Sequence, residues 1–322
     1  MPAIKLIATI IILSWYVNVS ACKPGEVAPG VNSEMVGVVC SPEFEDAAVR
    51  LKNNFEKSHP GILVFVESFG GRELGYVLKD RTGKIRTDIV LTTDPDVIEE
   101  FLRPGLVDGY IIFGGDELCL AFSSKSSING RITGENWERV IVNSGIRVGR
   151  VDENLDPLGY RTLLCWKLAD RYFGRDLYGA LFTMCSRERA YPNGALLVKS
   201  LQNNDIDCAF VYMSTALTCG LTYVRLCPEI NLGDTGMSSL YKSVSVTVSG
   251  ASRDKRKHIA GKPIVFAAAF VRTSESKSNP GKFFEYLFSP EAKAVFKEKG
   301  IEFKKSSCVS MTEKFKDLCG SH

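Results

Sequence analysis

Residues 149–161, Gly-Arg-Val-Asp-Glu-Asn-Leu-Asp-Pro-Leu-Gly-Tyr-Arg, contain the clearest candidate for chemistry in this chain. The pattern predicts a strand that ends at Gly149, a polar loop, and an amphipathic helix that ends near Phe173. Asp156 is suited to the N-cap of that helix and Pro157 to its first position, where a missing N–H does no harm. Because the free N–H groups of a helix start favour an anion, the segment predicts an anion contact.

Purely structural roles stay open for these candidates. Asp156 could be an N-cap alone, and so could Ser41, which precedes another predicted helix. Gly70 and Gly71 could serve only to permit a tight turn. The two roles can coexist, because a cap side chain binds one helix N–H and leaves others free.

Motifs of the common enzyme classes are missing from the sequence. It has no Gly-x-Ser-x-Gly elbow, His-Glu-x-x-His pair, P-loop or Gly-x-Gly-x-x-Gly fingerprint. His59, His258 and His322 are scattered, which removes the commonest general base and disfavours a zinc site. We therefore expect no enzyme, no cofactor and no bare metal cation.

Length and composition are those of an ordinary globular protein. The 322 residues suffice for two domains or one two-lobed body with an ample core. A formal net charge of +3 is too small to indicate a nucleic-acid partner. The densest basic run, residues 253–258, is interpreted as a solvated hairpin loop, with a membrane or nucleic-acid patch as the less favoured alternative.

Strand-like apolar segments alternate with helix-like amphipathic ones along the chain. The strand-like segments are residues 35–39, 62–66, 88–91, 118–122, 146–149, 208–212, 223–226, 241–248 and 264–271. Helices are predicted to start at Ser41-Pro42, Gly70-Gly71, Asp94-Pro95, Glu135 and Ser289-Pro290. The alternation predicts an α/β fold with a parallel core.

The amino terminus has the pattern of a targeting segment. Residues 6–17 are nearly all apolar, which is too short to span a bilayer but typical of a signal peptide. Residues 1–21 are therefore predicted to be a signal peptide. The run Val-Ser-Ala before Cys22 predicts lipidation of that thiol, with residues 22–34 as a tether. An uncleaved anchor and a plain secretory signal are the alternatives.

Ten cysteines are many for this length. No two of them form a Cys-x-x-Cys motif, so a zinc or redox site is not supported. Export makes disulfides plausible, and the pairs nearest in sequence are Cys219–Cys227 and Cys308–Cys319. With Cys22 set aside, nine thiols remain, so at least one is free or intermolecular.

Five segments, residues 55–61, 149–161, 228–232, 241–246 and 261–265, carry a resemblance that covers roughly residues 35–303. The chain resembles the archaeal molybdate/tungstate-binding proteins, which are solute receptors of ABC importers. The resemblance implies an α/β, two-lobed type II periplasmic binding protein fold, with each lobe a mixed sheet flanked by helices. Its lobes would be residues 35–115 with 242–322, and residues 116–241, joined by a hinge near Gly114-Gly115 and Leu240-Tyr241.

The same resemblance implies ligand contacts at Ser41, Gly71, Asp156, Pro157, Leu158, Val211 and Tyr241. Two of these positions depart from the family pattern: Gly71 stands where the family has a serine, and Val211 where the archaeal branch has a glutamate. A carboxylate facing a dianion costs about 4 kcal/mol per pair of unit charges at 4 Å and an effective dielectric near 20. Loss of that glutamate therefore predicts a tetrahedral or only partly expanded anion.

The anion is expected to accept hydrogen bonds from N–H groups at the helix starts after Ser41, Gly71 and Asp156. The hydroxyls of Ser41 and Tyr241 would add further bonds. Arg72 either supplies an extra cation or, in the favoured interpretation, points to solvent.

The resemblance finally implies capture of molybdate or tungstate in the interlobe cleft and delivery to an ABC permease with its ATPase. The protein would be anchored by lipid at the extracellular face of the membrane or in the periplasm. A receptor for another tetrahedral oxyanion such as sulfate or phosphate is the first alternative. A sensory or adhesion lipoprotein without a transport role is the second.

Overall fold

The computed structural model describes residues 34–80, 85–143, 145–185, 187–252, 254–274 and 277–319. The predicted signal peptide, Cys22 and the tether up to residue 33 lie outside the described residues. Within the described ranges, no helix combines the length and the apolar character needed to cross a membrane.

The chain alternates strands and helices, numbered here in chain order. The strands are β1 (Glu34–Cys40), β2 (Ile62–Ser68), β3 (Ile89–Thr92), β4 (Val107–Gly115), β5 (Leu118–Phe122), β6 (Val148–Val151), β7 (Ala190–Tyr191), β8 (Cys208–Tyr212), β9 (Thr222–Arg225), β10 (Ser245–Ser249), β11 (Arg256–Ala260), β12 (Val265–Val271) and β13 (Glu302–Val309). The helices are α1 (Pro42–Ser58), α2 (Gly71–Asp80), α3 (Pro95–Val97), α4 (Trp137–Asn143), α5 (Pro157–Phe173), α6 (Leu177–Met184), α7 (Gly194–Gln202), α8 (Met213–Thr218), α9 (Pro228–Asn231), α10 (Ser238–Tyr241), α11 (Ser278–Tyr286) and α12 (Pro290–Glu298).

Two mixed sheets organise these elements. One has the strand order β13-β4-β12-β3-β1-β2, and the other has the order β7-β6-β8-β5-β9. Strand β1 is parallel to β2 and β3, as predicted, but β12 runs antiparallel to β3 and β4. The chain therefore has a parallel core extended by antiparallel strands, because β12 returns from a distant part of the sequence.

Helical periodicity in the sequence identifies buried faces correctly. The predicted face of α1 is buried at each of its apolar positions, Phe44, Ala47, Ala48, Leu51 and Phe55. Helix α12 begins as predicted, with the Ser289 hydroxyl accepting from the Ala292 N–H. Strands β10 and β11 pair as an antiparallel hairpin, as predicted. The loop was predicted too long, because Arg256, Lys257 and His258 of the basic run belong to β11 and pair with residues 247–249 of β10.

The strand predicted over residues 241–248 begins later than expected. Tyr241 is the last residue of α10, and β10 begins only at Ser245. Tyr241 and Val244 are both buried. A spacing of three residues fits one helical turn, whereas positions i and i+3 of a strand face opposite sides, so this pair is better explained by the helical turn than by an extension of β10.

The cysteines divide into one joined pair and several free thiols. Cys308 and Cys319 are joined in the structure, with their Cα atoms 5.7 Å apart. Cys219 and Cys227 are both free, so the other pair suggested by sequence proximity is wrong. Nearness along the chain does not fix the distance between side chains when a strand, β9, lies between them.

Candidate functional site

The starts of α1, α2 and α5 meet at one place. A methyl group placed on Gly71, the first residue of α2, would lie 3.5 Å from Ser41 Oγ and 2.6 Å from Pro157 Cδ. Ser41 follows β1 and Gly71 follows β2 in the larger sheet, whereas Pro157 follows β6 in the smaller one. Carboxyl ends of strands from both sheets therefore supply the site, as is usual for ligands of α/β proteins.

Asp156 caps α5 and still has one carboxylate oxygen available. Its Oδ1 accepts from the Leu158 N–H at 2.8 Å. Its Oδ2 is buried and unpaired in the described part of the chain, although the Gly71 N–H faces the same carboxyl group. Burial raises the pKa of Asp156 to about 6, and the Leu158 and Gly71 N–H groups oppose that rise. The cap role is therefore confirmed, and it does not occupy the whole side chain.

Ser41 occupies the N-cap position of α1, but its side chain does not accept the usual hydrogen bond from a helix N–H group. Its side chain makes no capping hydrogen bond, and its hydroxyl is buried without a partner among the described residues. The interpretation of Ser41 as a cap alone is therefore wrong. The hydroxyl faces the start of α2 instead, as its 3.5 Å approach to a methyl on Gly71 demonstrates.

The N–H groups at the start of α2 have a partner across the site. The N–H groups of Arg72 and Glu73 both donate to the Leu155 carbonyl at 2.9 Å. Leu155 belongs to the polar loop before α5, which the sequence identified without assigning this residue a role. The Leu155 carbonyl oxygen thus accepts the hydrogen bonds from α2 that the sequence analysis predicted an anion would accept.

Glu43 is a site residue that the sequence analysis missed. Its Oε2 is buried without a hydrogen-bond partner in the described part of the chain. A methyl group on Gly194 would lie 3.4 Å from Glu43 Oε1 and 3.4 Å from Leu158 Cδ2. Burial, with the Asp156 carboxylate as the next cause, raises the pKa of Glu43 to about 8. An acidic residue in the first turn of a helix is so common that it gave no signal.

Arg161 forms a buried network at the far side of Asp156. It donates to the Tyr212 hydroxyl at 2.7 Å and to the Thr93 carbonyl at 2.9 Å, and lies 3.7 Å from Asp94 Oδ2. Nearby charge and the bond to Tyr212 raise the pKa of the Arg161 guanidinium against the effect of burial. A lone arginine among the buried residues of α5 was the available signal, because such a charge needs partners.

The remaining predicted contacts lie in other surroundings. Val211 is fully buried in β8 and pairs with Cys119, so its side chain packs in the core. The Tyr241 hydroxyl donates to the Pro228 carbonyl and accepts from the Asp234 N–H at 3.3 Å. The structure brings Ser41, Gly71, Asp156, Pro157 and Leu158 together. A ligand contact at these five positions, at Val211 or at Tyr241 stays a prediction.

Arg72 does not point to solvent, which corrects the favoured interpretation. It is fully buried and binds Glu100 through both terminal nitrogens, at 3.0 and 3.2 Å. It also donates to the Ser249 carbonyl and lies over the Phe101 ring. The arginine packs α2 against the β10–β11 hairpin, which the local sequence could not reveal.

Comparison with known proteins assigns the class that this geometry suggests. The chain belongs to the family of bacterial extracellular solute-binding proteins, which it matches over residues 36–302. Its two sheets, with a site at the carboxyl ends of their strands, have the fold of the periplasmic binding proteins.

The relatives include proteins with a stated ligand. An uncharacterized solute-binding protein of Petrotoga mobilis is 29% identical over 252 residues, which is 78% of each chain. The molybdate/tungstate-binding protein WtpA of Pyrococcus abyssi is 27% identical over 242 residues, 68% of this chain and 69% of that one.

Solved structures of other binding proteins share the fold of this chain. The periplasmic molybdate-binding protein of Azotobacter vinelandii superposes with a TM-score of 0.58 at 15% identity, covering 83% of this chain and 98% of that one. The sulfate-binding protein SubI of Mycobacterium tuberculosis superposes with a TM-score of 0.56, also at 15% identity, covering 88% and 91%.

Proposed function

We propose that this chain is the solute receptor of an ABC importer and captures molybdate or tungstate. Relatives named for these anions match about two thirds of the chain, which supports the substrate class. The observation that carries the proposal is the buried, unpartnered Ser41 hydroxyl at the meeting point of three helix starts. A buried donor without a partner costs free energy, and an oxyanion would satisfy it.

The two sheets support a division into lobes. Residues 35–115 and 242–322 hold the strands of the six-stranded sheet, and residues 116–241 hold those of the five-stranded sheet. In this proposal the chain crosses between lobes near Gly114-Gly115 and near Leu240-Tyr241. Rotation about these crossings would separate the start of α5 from those of α1 and α2, and so admit the anion.

Binding would exchange one set of acceptors for another. An anion oxygen would replace the Leu155 carbonyl at the N–H groups of Arg72 and Glu73, and a second oxygen would accept from Ser41. Because Val211 and Gly71 contribute no polar side chain, the proposed complex is tetrahedral or only partly expanded. No step of this binding needs catalysis or a cofactor.

The place of the protein in the cell follows from its family. Its relatives are extracellular solute-binding proteins. We propose lipidation at Cys22 and release of the captured anion to a permease driven by an ATPase. A disulfide between Cys308 and Cys319 is part of the same proposal, since export exposes thiols to an oxidising environment.

Thermal unfolding of the full-length protein in mild detergent tests the proposed substrate. Molybdate or tungstate at one hundred times its Kd should stabilise the fold by about 2.7 kcal/mol. Ser41→Ala should weaken binding by about tenfold, since it removes one hydrogen bond. Ser245→Ala, at an exposed position of β10, is the matched control and should bind as the wild type does.

Two results would contradict the proposal. If sulfate or phosphate raises the melting temperature and molybdate does not, the receptor serves another oxyanion. If none of the four anions raises it, the protein is not an oxyanion receptor.

A further inference from the structure

Two carboxyl groups at the site each have an unpaired oxygen. Glu43 Oε2 and Asp156 Oδ2 are buried without a hydrogen-bond partner among the described residues, although the Glu43 N–H faces its own carboxyl group and the Gly71 N–H faces that of Asp156. Gly194 lies next to both Glu43 and the start of α5, because a methyl group on it would contact Glu43 Oε1 and the side chain of Leu158. Gly70 approaches the other carboxyl group, since a methyl there would lie 3.4 Å from Asp156 Oδ2. The absence of side chains at Gly194 and Gly70 leaves space beside both carboxyl groups.

Positive charge around the pair does not suffice for two ionised carboxylates. Arg161 is the cation that faces both, and it is already bound to Tyr212 and Thr93. Acids and weak acids face the pair as well, among them Asp116, Glu73, Tyr212 and the Cys40 thiol. Lys299 lines the same cavity as Glu43, but its ammonium group pairs with Asp46 at 3.2 Å. When two carboxylates share a site, the charge of each disfavours the charge of the other, so the pKa of one of them is raised.

The helix starts are short of N–H donors. Both α1 and α5 have proline at their first position, so each lacks one N–H group there. The Leu158 N–H is bound by Asp156, and the Gly159 N–H donates to the Asp156 carbonyl. The donors left for an anion are the Ser41 hydroxyl and the Arg72 and Glu73 N–H groups of α2, so a protonated side chain would add a further one.

We infer that Glu43 binds the oxyanion as a protonated carboxylic acid, and that capture of the anion is coupled to uptake of a proton by this residue. The inference rests on the proposed function and adds to it a donor and a pH dependence. The proton comes from solvent and stays on the Glu43 carboxyl group, whose O–H donates to an anion oxygen; no covalent bond is formed or broken. Release of the anion returns the proton to solvent.

Calorimetric titration with molybdate tests the coupling. The wild type is titrated between about pH 6 and 9, in buffers that differ in ionisation enthalpy, a range in which carboxyl groups with raised pKa values change charge. We expect uptake of up to one proton per anion, and an affinity that falls by up to tenfold per pH unit once Glu43 is ionised in the free protein. Molybdate itself does not change charge in this range.

Glu43→Gln separates the acid from the carboxylate. The amide carries a permanent N–H donor and no charge, so binding should persist and most of its pH dependence should disappear. Glu43→Ala removes the donor too, and should bind more weakly than Glu43→Gln with an equally flat profile. Glu45→Gln, at an exposed position in the same helical turn, should keep the wild-type profile.

The outcomes distinguish this inference from the proposed function. If the wild type binds molybdate without taking up a proton, or if Glu43→Gln keeps the wild-type slope, the inference is wrong and the function stands. If a folded Glu43→Gln protein loses binding at every pH, the ionised carboxylate is the ligand and the inference is again wrong. If the wild type binds no oxyanion, the proposed function fails first.

Discussion

At the scale of single residues, the site depends on oxygen atoms that the fold leaves unbound. Asp156 uses one carboxylate oxygen as a helix cap and leaves the other at the site. Ser41 occupies a cap position but turns its hydroxyl toward Gly71. Such buried polar atoms are rare in folded proteins, because each costs free energy unless a partner arrives. Their clustering is therefore a stronger indication of binding than any one residue type.

The raised pKa values predict how stability depends on pH. Glu43 titrates at about 8 and Asp156 at about 6 in the folded protein, above the ordinary carboxyl range of about 4. Between pH about 4 and the raised pKa of each group, the folded state holds more protons than the unfolded state. The free energy of unfolding without anion therefore falls as the pH rises through that range. The slope should reach at most about 1.4 kcal/mol per pH unit for each group.

Urea unfolding at about pH 5, 7 and 8.5 measures this effect, since each pH reports a different protonation state of the pair. Glu43→Gln should lose the part of the decline that lies nearest pH 8. An identical decline in Glu43→Gln and the wild type would show that Glu43 is ionised throughout, contrary to the prediction.

At the scale of elements, the site depends on how closely three helix starts approach each other. The Leu155 carbonyl binds two N–H groups of α2, and Gly71 allows Pro157 to come within van der Waals distance. A side chain at Gly71 would meet the proline ring at 2.6 Å from Cβ to Cδ, which is too close for either group. Glycine at this position is thus a packing requirement of the observed arrangement.

Gly71→Ala should separate α2 from the start of α5. The overpacking should lower the free energy of unfolding by about 1–3 kcal/mol and weaken anion binding. Gly105→Ala is the matched control, because a methyl there meets no atom nearer than the Leu102 carbonyl at 3.9 Å. Denaturant unfolding and calorimetry measure the two effects; an unchanged Gly71→Ala protein would contradict the described approach.

At the scale of the whole molecule, buried charges connect the two sheets. Arg161 follows the five-stranded sheet, whereas Thr93 and Asp94 follow β3 of the six-stranded one. Lys262 adds a second positive charge, 3.1 Å from Asp94 and 2.6 Å from Asp96. The network therefore holds together segments that must separate if the lobes open.

Arg161→Met should lower the free energy of unfolding by about 3 kcal/mol, since it breaks a buried charged network and leaves Tyr212 and Thr93 without their donor. Arg175→Met is the matched control: Arg175 is half exposed and lies 3.7 Å from Glu138, so its loss should cost less than about 1 kcal/mol. Equal losses in the two variants, measured by urea unfolding, would mean that the buried network adds no stability.

Several local elements of this protein can be predicted from its amino-acid sequence. Proline after serine or aspartate, followed by helical periodicity, predicted the starts of α1, α5 and α12, because capping and burial depend on neighbours a few residues away. The resemblance identified the family in the same way, from segments that remain similar in order and spacing. These signals are local and can be found in one chain.

Which groups share the site depends on contacts between distant parts of the chain. The Asp156 charge acts on Glu43, and the Leu155 carbonyl binds two N–H groups of α2, because strands from two sheets end at the same place. Arg72 follows Gly71 in the sequence, but its side chain forms an ion pair with Glu100, which is distant in the sequence, and so is held away from the site. Distances between residues far apart in the chain depend on how the sheets pack, and no local pattern records that packing.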